Sequence, residues 1–180
     1  ISIGANIPSK FGNPLRTITA MRPNIESNIL EWNADLDNPK NKIQGFDNSL
    51  SFTWAPLYQT FPLGGPKNQP KFINTVLVVD WKKSSSVKPN KKAAIDLMKR
   101  FLDLEKSAGR ERTTIKTKWE PRSLDIDFIS WGGLQVNSEI LILPHSRSIE
   151  RNFVLIPLTE VLSKSQGKPK RMNSQSIWPE

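Results

Sequence analysis

Cysteine is missing from all 180 residues, which removes disulfide frameworks, thiolate nucleophiles and cysteine-based zinc sites together. Histidine occurs once, at His145, and no Ser-His-Asp order surrounds it that would mark it as a general base. Long apolar runs are also missing. The longest, such as Val76 to Val79, are strand-sized and far from the roughly 18 residues of a spanning helix. The opening Ile-Ser-Ile-Gly-Ala-Asn lacks the charged start and apolar middle of a signal peptide, and the lack of cysteine fits a reducing cytoplasm, so a cytoplasmic, membrane-free protein is expected. No GxxxxGK[ST], no GxGxxG after a strand, and no HRD or DFG occurs, which excludes P-loop and protein-kinase machinery. Phosphates, if bound, must be held by side chains. No RNP-type aromatic strand, helix-turn-helix pair or zinc spacing is present, which weighs against nucleic acid as the partner.

What is present is a core of one-domain size, with 37% hydrophobic residues, and a strong basic surplus of 26 Lys and Arg over 17 Asp and Glu, a net charge of +9. The surplus is concentrated in residues 82–122, which points to an anionic partner at that part of the chain. An ordinary reading of such a run, a solvated helix face followed by a surface loop, has to be weighed against what surrounds it.

Strands are expected at Ile1–Ile3, Ser51–Tyr58, Phe72–Trp81 and Ser123–Trp131, with short ones at Leu134–Val136 and Ile140–Leu143. Helical spacing runs from about Asn13 to Trp32, interrupted at Pro23. A second helix starts at a cap on Asn90, carries Ala94, Met98, Phe101 and Leu102 on one face, and stops at Gly109. The Phe61–Pro70 segment, with its prolines and Gly64-Gly65 pair, is a loop. Residues 33–49 read as an exposed connection and 163–180 as a C-terminal tail, so the working domain is placed at 1–162. Strands outnumber helices and do not alternate strictly with them, which indicates an α+β sheet with helices packed on it.

The sharpest chemical signal is Asp125 and Asp127. A strand period of two puts both carboxylates on one face, while Leu124, Ile126 and Phe128 fill the other. Their mutual repulsion is relieved by a divalent cation, and oxygen-only ligands favour magnesium shared with substrate phosphates. The preceding loop brings Arg110, Arg112, Lys116, Lys118 and Arg122 to the same place. Glu105 continues the apolar face of the second helix where packing alone calls for an apolar residue. It reaches either a ligand or an arginine. His145 lies near Arg147 and Arg151 and suits a phosphate oxygen, and Trp119 is an indole in a polar loop, a mark of contact.

Taken together, Ile3-Gly-Ala-Asn-Ile, Tyr58-Gln-Thr-Phe-Pro-Leu-Gly, Asn74 in its strand, Glu105 to Arg112, Trp119-Glu-Pro-Arg-Ser-Leu-Asp-Ile-Asp, Leu143-Pro-His and Arg151-Asn-Phe-Val-Leu-Ile-Pro-Leu resemble the 6-hydroxymethyl-7,8-dihydropterin pyrophosphokinase family, in the family's order. The resemblance implies a ferredoxin-like α+β fold, mainly antiparallel, and transfer of the β,γ-diphosphate of ATP to the pterin's hydroxymethyl group, leaving AMP, in folate biosynthesis. By position it implies Asp125 and Asp127 as ligands of two Mg2+ ions. Arg112 and Arg122 would act with them in catalysis, and Glu105, Arg110, Arg112, Arg122, His145 and Arg151 would bind ATP. Thr60, Phe61, Leu63, Phe72, Asn74, Trp119 and Phe153 would bind the pterin, with Phe72 and Phe153 sandwiching its ring. The loops near 60–70 and 110–120 are expected to close over both substrates. Glu120, Phe61 and Ser146 depart from the family's usual residues. A basic module that binds RNA or DNA through residues 82–122 is the alternative from another class.

Overall fold

A computed structural model of the chain describes residues 1–36, 50–81, 87–110 and 119–166. The elements run β1 (Ser2–Ala5), α1 (Pro14–Leu36), β2 (Leu50–Trp54), β3 (Tyr58–Thr60), β4 (Phe72–Trp81), α2 (Lys91–Ser107), β5 (Asp125–Asp127), β6 (Val136–Asn137), β7 (Ile142–Leu143), a 3-10 turn at Ser148–Glu150 and α3 (Asn152–Gln166). Strands β2, β4, β1 and β5 pair in that order, with β3 added to β4, and every pairing is antiparallel. With β3 set aside, β-α-β-β-α-β connectivity and this order are the split arrangement of ferredoxin-like sheets. The small β6–β7 pair stands apart.

Strand β4 is the longest, ten residues, because Val, Ile and Leu follow one another through Phe72–Trp81 and both of its faces are covered. Successive side chains point to opposite faces. Leu77 enters the larger core with Ile3, Ile18, Met21, Ile25, Trp32, Leu97, Phe101 and Ile126, whereas Val76 joins Ala55, Ile129, Val154 and Val161 under α3. Helices α1 and α2 thus cover one face and α3 the other.

Helix α2 follows the sequence expectation closely. The Asn90 side chain accepts a hydrogen bond from the Ala93 N–H at 2.9 Å, and Gly109 takes φ +85° just beyond the end. Helix α1 differs from expectation: it runs without a break through Pro23 as far as Leu36, so the first residues of the supposed 33–49 connection are helical and Asn33 is buried. A single buried stripe of Ile18, Met21, Ile25, Ile29 and Trp32 spans both sides of the proline, and packing of that stripe outweighs the missing hydrogen bond. Residues 37–49 lie outside the described residues.

The Ser51–Tyr58 strand is two strands. Between the pairs Trp54↔Leu77 and Tyr58↔Asn74 the β2–β3 side carries one more residue than β4, the count of a bulge, and the register changes there. The Ser123–Trp131 strand is ordered into a ladder only at Asp125–Asp127, because only these residues lie against β1. Sequence patterning misses α3 entirely. Pro157 sits within it, and the helix continues to Gln166, past the boundary drawn at 162. It is held by contact with β4 and by Tyr58, whose hydroxyl hydrogen-bonds the Glu160 carboxylate.

Candidate active site

At one end of the sheet, β1, β3, β4 and β5 frame a cavity of about 370 Å³. Its charged wall comes from β5. Alternation buries Ile126 completely and leaves Asp125 and Asp127 half-buried on the cavity side. Asp125 is gripped from both sides, with Arg110 Nη1 at 2.5 Å from one oxygen and Arg122 Nη1 at 2.6 Å from the other. Burial raises its pKa, but the two guanidiniums outweigh that and hold Asp125 below the ordinary carboxylate value. Asp127 has a single, longer contact, Arg151 Nη1 at 3.5 Å. Burial and the neighbouring Asp125 charge push it up to about 7, against the pull of Arg151 and Arg122.

These two carboxylates suit a metal of a particular kind. Among the described residues no group of three or more His, Asp or Glu is clustered, so these residues by themselves do not encage a cation. A strained pair of oxygen donors facing an open cavity instead fits a hard ion that takes its remaining ligands from water and substrate phosphates. The placement of Asp125 and Asp127 on the same open cavity favours it, and a divalent charge there would offset the burial and the neighbouring Asp125 charge that raise Asp127.

The opposite wall is apolar and carries a few polar atoms. Phe72 on β4 and Phe153 on α3 are half-buried cavity walls, and Phe153 also packs against the smaller core under α3. Asn74, two residues on from Phe72 in β4, is buried against the same cavity, and its Nδ2 donates to Thr60 Oγ1 at 2.8 Å. Gly4 makes this possible: a Cβ there would lie 2.7 Å from Asn74 Oδ1. Phe61 and Leu63 are strongly exposed at the rim, with Lys71 Nζ 4.6 Å from the Phe61 ring centroid.

Trp119 closes one side. Its φ of +63° is costly for a bulky residue, and the Gly64-Gly65 pair lies directly beneath it. A Cβ on Gly64 would meet the indole at 2.7 Å, and one on Gly65 would meet the Trp119 carbonyl at 2.4 Å. Gln69 Nε2 donates to that carbonyl at 2.9 Å, while Asn6 Nδ2 donates to Gln69 Oε1 at 3.2 Å and Asn6 Oδ1 accepts from Arg122 N at 2.7 Å. One amide network thus joins the end of β1, the 61–70 loop and the arginine that holds Asp125.

Of the residues singled out from sequence, the structure gathers Thr60, Phe61, Leu63, Phe72, Asn74, Trp119, Arg122, Asp125, Asp127, Arg151 and Phe153 around this one cavity. Arg110 stands behind Asp125. Glu105 is only 2% exposed and does not reach the cavity: it pairs with Arg110 at 2.7 Å and accepts the Ile126 N–H at 2.8 Å. His145 does not line the cavity; its backbone N–H donates to Ile129 O at 2.8 Å, and burial and Arg151 lower its pKa. Arg112, Lys116 and Lys118, and with them most of the 110–120 loop, lie outside the described residues. Sequence reading passed over Gly4, Gln69 and Glu150, which also line the cavity. Gln69 follows the loop's glycines without a chemical signature of its own, and only the folded contact reveals it.

Fold and cavity together define an antiparallel α+β protein whose sheet end sets paired carboxylates, flanked by arginines, in one cavity with the side chains of Phe72 and Phe153. The chain belongs to the 7,8-dihydro-6-hydroxymethylpterin-pyrophosphokinase (HPPK) family, whose sequence model matches residues 1–163. It is similar to a 2-amino-4-hydroxy-6-hydroxymethyldihydropteridine pyrophosphokinase of Methylorubrum extorquens, 36% identical over 104 residues, 58% of each chain. The protein of the same description from Haemophilus influenzae is 29% identical over 121 residues, 67% of this chain and 68% of that one. The Bifunctional protein FolKE of Lactococcus lactis is 37% identical over 106 residues, which is 59% of this chain and 27% of its own length. The matched stretches therefore span between about a quarter and about two thirds of these relatives' own lengths, and somewhat over half of the Methylorubrum extorquens protein. Among the described residues no helix is long and apolar enough to cross a membrane.

Proposed function

We propose that this protein transfers the β,γ-diphosphate of ATP to the hydroxymethyl group of 6-hydroxymethyl-7,8-dihydropterin, yielding AMP and the pterin diphosphate, as a cytoplasmic step of folate biosynthesis. The observation that carries this reading is the single cavity that holds a half-apolar slot, Phe72, Asn74 and Phe153, directly beside Asp125, Asp127, Arg122 and Arg151. A flat heterocycle with donor and acceptor edges and a polyphosphate need those two walls at touching distance.

In this reading Phe72 and Phe153 sandwich the pterin ring, Asn74 and Thr60 meet its polar edge, and Phe61, Leu63 and Trp119 close the slot. The hydroxymethyl oxygen attacks the β-phosphorus, the bond from that phosphorus to the oxygen bridging α and β breaks, AMP leaves, and the hydroxyl proton is released to solvent. Such a transfer depends chiefly on positioning and on neutralising charge. Arg122 and Arg151 border the transferred group, and Arg110 keeps Asp125 ionised. Glu105 acts through Arg110 and β5, and His145 and Arg112 complete the ATP site. Asp125 and Asp127 would hold two Mg2+ ions, which when bound neutralise and align the phosphate oxygens.

The test is to incubate the protein with ATP, Mg2+ and the pterin and to separate the nucleotides. Pterin-dependent AMP that is lost in Asp125→Ala and Asp127→Ala is the expected result. ADP, or no turnover by folded wild-type protein, would overturn the reading.

A further inference from the structure

The cleft contains one arginine that the scheme above does not use. Arg110, Arg122 and Arg151 each have a carboxylate partner, at 2.5, 2.6 and 3.5 Å. Arg147 lines the same cavity, yet among the described residues no carboxylate pairs with it. Its guanidinium carbon lies instead 5.2 Å from the centroid of the Trp119 ring. A guanidinium held over an indole keeps N–H groups free to donate, and arginine grips phosphate through such donors.

Its backbone is firmly seated. The turn from His145 to Ser148 is closed by Ser148 N to His145 O at 3.0 Å and Ser148 Oγ to the same oxygen at 2.8 Å, and Ser148 is buried. The platform is equally fixed, with the Trp119 carbonyl held by Gln69 and its ring resting over Gly64. The Arg147 N–H also donates to His145 Nδ1 at 3.3 Å. That assigns the acceptor role to Nδ1 and leaves Nε2 as the protonated nitrogen of a neutral ring.

We propose that Arg147 is a further phosphate-binding residue of this cleft, gripping non-bridging oxygens of the nucleotide's phosphate chain from the Trp119 side while that indole keeps its guanidinium in plane. The inference rests on the nucleotide reading of the cleft and adds a cation held ready for the substrate, in contrast to those already neutralised by carboxylates.

The experiment is calorimetric titration of wild type, Arg147→Lys and Arg147→Met with α,β-methylene-ATP plus Mg2+, and separately with 6-hydroxymethyl-7,8-dihydropterin. Because Arg147 is exposed, all three fold, and matching melting curves verify this. Arg147→Met should bind the nucleotide analogue about tenfold more weakly, with a shallower salt dependence, and Arg147→Lys should fall between. Pterin affinity should stay within about twofold. Equal nucleotide affinity in wild type and Arg147→Met would overturn the proposal. So would equal losses of nucleotide and pterin in both variants, which would mean that Arg147 only props Trp119. Failure of the wild type itself to bind the analogue would overturn the nucleotide reading of the cleft, and this proposal with it.

Discussion

The backbone N–H of Ile126 donates to the buried carboxylate of Glu105 at 2.8 Å. This one bond ties α2 to the middle of the strand whose flanking residues are Asp125 and Asp127. The same carboxylate holds Arg110, which in turn holds Asp125. Glu105 thus sets the position of the acidic pair from behind.

Replacing Glu105 by Ala leaves the Arg110 guanidinium without this partner and the Ile126 N–H unpaired. Breaking a buried ion pair from one side costs about 3–5 kcal/mol, so Glu105→Ala should melt far below wild type. Glu105→Gln keeps an acceptor for Ile126 and should lose less stability. Its AMP production should still fall, through Asp125, with pterin affinity nearly unchanged. Denaturant melts and pterin titration of both variants check this. Equal stability of Glu105→Ala and wild type would show that the bond carries no weight.

The raised pKa of Asp127 has a definite sign. A carboxyl whose folded value, about 7, exceeds its unfolded value, 3.8, takes up a proton on folding. The stability this confers is complete below the unfolded value and is lost as pH rises through the folded one. Asp127→Asn cannot ionise, so without metal or nucleotide its advantage over wild type should grow from pH 4 to pH 7 and level off by pH 8. There it should melt about 2–6 °C higher, an effect of order 1–2 kcal/mol, while making no AMP. Thermal melts in a chelator across this range are the check. Parallel curves for the two proteins would contradict it.

Gly4 lies where a methyl group would press on the Asn74 amide at 2.7 Å. Gly4→Ala should therefore turn Asn74 away from Thr60 and weaken pterin binding by about tenfold or more, a loss of roughly 1–2 kcal/mol of polar recognition. The proposed nucleotide side, on β5, should be little affected. Separate titrations with the pterin and with α,β-methylene-ATP distinguish this from general unfolding, which would remove both.

What was legible in the sequence is what neighbouring residues decide among themselves. The α2 helix announces itself because Asn90 caps its own turn and Gly109 can adopt a left-handed φ. The acidic pair on β5 is legible because alternation is a property of any extended strand. The Gly64-Gly65 loop is punctuated by its own backbone freedom. The family pattern added which of these residues to bring together.

Other features depend on partners distant in the chain. Helix α1 passes through Pro23, and α3 accommodates Pro157, since packing on the two faces of the sheet outweighs a local preference against helix. Glu105, read from its helix face as a residue that reaches a ligand or an arginine, turns inward because Arg110 and the Ile126 N–H await it there. Gly4, Gln69 and Arg147 acquire their roles only through Asn74, the Trp119 carbonyl and the Trp119 ring. The sequence by itself determined the elements whose signals lie within a few residues, and the charges and aromatic groups available. Tertiary structure alone decided which of the described carboxylates are buried and which of the described cations they neutralise, because burial and ion pairing are set by contacts between segments that the chain order leaves far apart.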